Sequence, residues 1–115
     1  MDAEHSYLGD TWAFDGAAWA RLNPKASPSA RQNALLAPES QGVLLFGGDH
    51  DFIRLSDTWS WDGTDWQTVP TSHAPHPIYS AGMTSRNGQA VLVAYASFPG
   101  QAQTYVMSKG DWTAI

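Results

Sequence analysis

The 115-residue chain has no cysteine, and only 15% of its residues are charged, six Lys+Arg against eleven Asp+Glu. Without cysteine there is no disulfide framework, no thiolate zinc ligand and no cysteine nucleophile. The formal net charge of −5 argues against a nucleic-acid partner, because phosphate binding needs a basic face. No apolar run approaches the ~20 residues of a membrane-spanning helix, so no membrane partner is expected. Met1–Tyr7 reads MDAEHSY and lacks the apolar core of a signal peptide. The default expectation is a cytoplasmic protein, or a secreted one if the chain is a fragment of a longer exported protein. Helical periodicity is missing as well. No ten-residue segment keeps a 3.6-residue apolar spacing without Gly or Pro. What remains is 43% hydrophobic residues, ten Gly, seven Pro and six Trp. That is enough apolar material for a core, punctuated as strands and turns are.

The sequence repeats itself. Residues 8–19 read LGDTWAFDGAAW and residues 55–66 read LSDTWSWDGTDW, starting 47 positions apart. Asp10, Thr11, Trp12 and Trp19 thereby fall on Asp57, Thr58, Trp59 and Trp66. A degraded third copy, QTYVMSKGDW, places Thr104, Tyr105, Asp111 and Trp112 on Thr58, Trp59, Asp65 and Trp66. Each unit reads as strands. In residues 55–61, Leu55, Asp57, Trp59 and Trp61 alternate with Ser56, Thr58 and Ser60, which puts the two sets on opposite faces. Asp15-Gly16 and Asp62-Gly63 are tight-turn dipeptides. Val43 to Phe46 is apolar without alternation, so both of its faces should be covered. Gly47 and Gly48 behind it predict close backbone approach. Strands recurring at 40–50 residues are what a β-propeller blade requires.

In LLFGG at 44–48, LSDTWSWDG at 55–63 and Trp66, the chain resembles the kelch-repeat family in its bacterial Trp-rich form. Ser27-Pro28-Ser29-Ala30-Arg31 resembles that family's Pro-x-x-Arg entry to the inner strand. The resemblance implies an all-β fold of four-stranded antiparallel kelch-type β-propeller blades. Residues 1–115 would form one partial propeller: 7–23 an outer half-blade, 30–69 one blade and 77–115 another. It implies strands at Arg31–Ala37, Gly42–Gly48, Leu55–Asp62 and Trp66–Val69. The second set is Ile78–Thr84, Gln89–Tyr95, Gln103–Met107 and Asp111–Ile115. The last blade departs from the pattern. Ala94-Tyr95 stands where the other has Gly47-Gly48, Ile78 stands for Arg31 and Gln103 for Asp57. The resemblance implies closure with about five to seven blades, as in kelch propellers. Two and a half are therefore expected to belong to a longer chain or to be completed by association into a homo-oligomer.

The recurring Trp12, Trp19, Trp59, Trp66 and Trp112 read as packing, because a ligand site is unique while a core repeats; Trp12 and Trp59 are expected to be mostly buried. Asp10 and Asp57 read as hydrogen-bonding to nearby backbone amides. Glu39 reads as alone in a loop. The polar loops supply the candidate binding rim: His50, Asp51, Arg54, His73, His76 and Phe98, which propeller topology would bring to one side. No metal site is expected there, since nothing fixes the histidine geometry, and no cofactor is called for. No nucleophile elbow or phosphate loop is present. The reading is a non-catalytic interaction module whose rim binds a protein or a glycan. Its alternative is a segment of a larger kelch-type propeller enzyme of the sialic-acid or galactose-oxidase-like class. The copper chemistry of the latter, which needs a cysteine-crosslinked tyrosine, is excluded for this chain by itself.

Overall fold

The computed structural model describes residues 7–75, 81–95 and 102–115. The protein is all-β, with ten strands in three antiparallel sheets among these residues. Strands β1 (Thr11–Phe14) and β2 (Trp19–Leu22) pair as a two-stranded sheet. Strands β3 (Leu35–Glu39), β4 (Gly42–His50), β5 (Ile53–Trp61) and β6 (Trp66–Thr68) form a four-stranded sheet in chain order. Strands β7 (Ala81–Arg86), β8 (Gln89–Tyr95), β9 (Ala102–Ser108) and β10 (Asp111–Ala114) form the second. No helix of the described residues is long and apolar enough to cross a membrane. His76, Phe98 and the opening of the strand expected at Ile78–Thr84 lie outside the described residues.

Local chemistry sets the turns. Asp62 Oδ1 accepts the Thr64 and Asp65 N–H groups at 2.8 Å each, and Asp15 Oδ1 accepts those of Ala17 and Ala18. Both Asp-Gly turns therefore sit where the sequence puts them, and these backbone donors hold both carboxyls below the ordinary value of 3.8. The expected inner strand Arg31–Ala37 starts later, at Leu35; Arg31 and Gln32 instead make isolated bridges to Leu8 and Asp49. Glu39 lies at the end of β3 rather than in a loop, and its Oε2 accepts the Ala90 N–H at 3.2 Å.

The core lies between the two four-stranded sheets. Ala37, Leu44 and Phe46 pack against Ala90, Leu92 and Trp112, with the Phe46 and Trp112 rings edge to face at 5.5 Å. Leu44, Leu45 and Phe46 are all buried, as an apolar run without alternation requires. The small face of β5 is the one turned to this core. Thr58 is 2% exposed, and its Oγ1 accepts the Trp112 indole N–H at 3.0 Å. One sheet earlier the same contact recurs: Trp66 Nε1 donates to Thr11 Oγ1 at 2.9 Å. Each four-stranded sheet thus hands a tryptophan to a threonine of the sheet before it, at positions that recur in sequence.

The recurring tryptophans are not equally buried. Trp66 and Trp112 are buried, but Trp12 is 50% and Trp19 65% exposed, and Trp59 is half-buried. The expectation that Trp12 is mostly buried is corrected. Trp12 lies on the face of β1 opposite Thr11, and no sheet among the described residues covers that face. Its indole is held instead by Asp10 Oδ2 at 2.7 Å, and this hydrogen bond lowers the Asp10 pKa.

Candidate functional site

The β4–β5 hairpin turns on two residues, Asp51 and Phe52, between the paired His50 and Ile53. Both turn residues have positive φ, 50° and 67°, the mirror-image geometry that matches strand twist. That geometry favours Asn-Gly, because a β-carbon is crowded there. Phe52 nonetheless occupies it and is fully exposed, at 101%. Ile53 beside it is also exposed. His50 is anchored: its Nδ1 donates to the Ala30 carbonyl at 2.8 Å, and its ring stacks on Tyr7 at 4.3 Å. Its Nε2 faces Asp51 Oδ2 at 3.5 Å. Arg54 pairs in register with Asp49, whose carboxyl is lowered by hydrogen bonds from Gln32 and Asn33 and by the Arg54 charge. Tyr7 also lines an open groove of about 550 Å³ with Asp10, Arg21 and Asn23. The hairpin therefore offers an apolar tip on a fixed base, beside a polar groove.

Of the sequence-predicted rim, His50, Asp51 and Arg54 come together on this hairpin. His73 does not join them. Its Nδ1 donates to Asp111 Oδ2 at 2.7 Å, and the Ser72 and His73 N–H groups reach Asp111 Oδ1. Asp111 opens β10 next to the Lys109–Gly110 turn. That turn shares a groove with Ser40 and Gly88, at the Gly42 end of β4 and so opposite the His50 end. The His73 hydrogen bond is the chief reason the Asp111 carboxyl is held at about 2; partial desolvation opposes it, and the backbone donors of His73, Trp112 and Ser72 add to it. Among the described residues, no three His, Asp or Glu side chains converge as metal ligands.

Sequence reasoning missed two features. Phe52 is one; its signal was an aromatic residue at a two-residue turn that ordinarily carries Gly. The other is a polar brace across the inner strands. Arg31 donates from Nη1 and Nη2 to the two Asp57 oxygens at 2.6 and 2.9 Å, and from Nη1 to the Gly47 carbonyl at 3.0 Å. Asp57 also accepts the Trp59 indole N–H at 2.8 Å, so besides its own backbone amide it serves a guanidinium and an indole. Burial raises the Asp57 carboxyl, but the hydrogen bonds from Arg31 and Trp59 and the Arg31 charge outweigh this and hold it below 3.8. The signal was present: Arg31 and Asp57 disappear together in the last repeat, as Ile78 and Gln103.

The remaining acids are spent similarly. Asp65 Oδ1 accepts the Lys25 N–H at 2.6 Å, as Asp111 accepts the next loop. Asp51 excepted, each described aspartate holds a turn, a loop, an amide or an indole, an arrangement unlike the facing acid pair of a glycosidase. No protein-family model matches the chain, and no curated protein matches it either.

Proposed function

We propose that the chain forms kelch-type β-propeller blades and acts as a non-catalytic interaction module, binding a protein partner through the β4–β5 hairpin. Two sheets of four strands in chain order, and a tryptophan–threonine contact that recurs between successive sheets, support the blade reading. The binding reading is carried by Phe52. A bulky residue at positive φ costs roughly 1–3 kcal/mol, and a fully exposed ring recovers none of that within the fold. Burying such a ring against a partner contributes roughly 1.5–3 kcal/mol, and aromatic anchors of this kind dominate protein interfaces. Asp51 and the anchored His50 give the tip a polar surround.

The test uses immobilised wild-type chain and a Phe52→Asn variant, with protein capture in one arm and a glycan array in the other. Asn tolerates the turn geometry, so the variant should fold, melt higher by the equivalent of about 1 kcal/mol, and lose the captured protein. Retention of the same protein by the variant overturns the reading. So does a wild-type chain that captures no protein, or one that binds the glycan array instead.

A further inference from the structure

Two sheet faces that no other described residues cover carry the two halves of the joint. Within the molecule the joint is made twice, Trp66 to Thr11 and Trp112 to Thr58. Trp19 occupies the place of Trp66 and Trp112, at the start of the outer strand, and is largely exposed. Thr104 occupies the place of Thr11 and Thr58. The Ile115 N–H donates to its carbonyl at 3.0 Å, as the Val69 N–H donates to Thr58 at 2.8 Å. Alternation in the β8–β9 register puts Thr104 and Val93 opposite each other, on the face away from the buried Leu92. Val93 and Tyr95 on that face are exposed, and so are Trp12 and Phe14 beside Trp19.

We infer that these two faces bind each other between copies of the chain, head to tail, with Trp19 of one copy donating to Thr104 of the next. The occupant is a second copy because the surfaces are the same pair that already meets twice inside each molecule. Such a contact uses two different patches and is therefore heterologous. It differs from the internal joints in one respect. Asp65 and Asp111 each clasp a loop of the preceding sheet, whereas the corresponding position before Trp19 is Ala18. The joint between copies thus has the tryptophan without the aspartate clasp, and is the weaker and reversible one.

Light scattering over a concentration series tests this with two end-blocking variants, Trp19→Ala and Thr104→Arg. Wild type should exceed the 12.5 kDa chain mass, and each variant alone should return to it. An equimolar mixture should reach twice that mass, because the Trp19 face of one variant still fits the Thr104 face of the other. Thr104→Val, which removes only the acceptor, should weaken association about fivefold, the worth of one hydrogen bond. Circular dichroism confirms that each variant is folded. Wild type that stays at 12.5 kDa throughout, variants that associate as wild type does, or a mixture that stays at the chain mass would each overturn the inference. None of these readouts depends on Phe52 or its partner.

Discussion

The two four-stranded sheets have the same strands in the same order, yet they secure their inner strands by different means. In β3–β6 the β4 strand bulges between Phe46 and Gly48, and the Gly47 carbonyl there accepts from Arg31, which also grips Asp57. In β7–β10 the register of β8 with both neighbours runs on without a shift. There Ala90, Leu92 and Ala94 are fully buried. Gln103, in the place of Asp57, donates to the carbonyls of Thr104 and Ile115. What the sheets share is apolar contact and the tryptophan–threonine joint; what they do not share is the ionic brace. The shared features define the architecture, and the brace secures one bulged strand.

The largest test of that division is the joint. Trp112→Ala should cost about 3–5 kcal/mol in chemical denaturation, the usual cost of emptying a large buried site. Trp66→Ala should cost less, since its indole reaches a sheet of only two strands. Trp12→Ala should cost below about 1 kcal/mol, as surface substitutions do. Equal losses for Trp12 and Trp112 would erase the distinction between covered and uncovered faces.

The bulge comes next. Gly48 has φ +101°, and a β-carbon there would lie 2.6 Å from the Gln32 carbonyl oxygen and 3.0 Å from the Ala34 nitrogen. Backbone has little room to yield, so Gly48→Ala should destabilise by about 1–3 kcal/mol. Tyr95, its counterpart in the second sheet, sits in an unbroken ladder, and Tyr95→Ala should cost well under half as much. A tolerated Gly48→Ala, seen as an unchanged denaturation midpoint, would show that the bulge is not needed.

The brace itself should matter less. The Arg31 side chain is 5% exposed, while that of Asp57 is 41% exposed. Asp57→Asn leaves a nearly buried guanidinium without its carboxylate, but solvent at the acid side screens the loss. About 1–2 kcal/mol is expected, and Arg31→Met with Asp57→Asn together should cost less than the sum of the two single changes.

Smallest is the effect of Asp111, whose part-buried carboxylate is held by the exposed His73 ring. Its folded pKa of about 2 lies below the ordinary 3.8, so its contribution is full above the unfolded value and is lost as pH falls from there through about 2. The acid limb of a stability curve should therefore flatten over that window in Asp111→Asn. Asp65 clasps the corresponding loop without a histidine. An unchanged acid limb in Asp111→Asn would show that the His73 hydrogen bond does not hold the loop.

Much of this architecture was legible because its signals are local. The Asp15-Gly16 and Asp62-Gly63 turns and the glycines at 47 and 48 each follow from a few adjacent residues, while the strand at Gln89–Tyr95 followed from the resemblance. The rim was legible only in part. Asp51 was recognisable as a turn residue, but His50 and Arg54, read from the sequence as loop residues, lie in β4 and β5, and His73 turns to Asp111, 38 positions away, a choice that no spacing along the chain encodes. Phe52 was overlooked because its exposure depends on a hairpin reaching past its neighbours.

By itself the sequence determined the repeat and the turns, since alternation and backbone sterics act over a few residues. Tertiary structure alone decided which copies of a repeated residue do which task. Trp12 and Trp59 share one local pattern, as do Trp19, Trp66 and Trp112, but a tryptophan is buried only where another sheet lies against it. Arg31 and Asp57 likewise become a brace only when folding brings two residues 26 positions apart into contact, because desolvation and ion pairing depend on spatial neighbours and not on sequence ones.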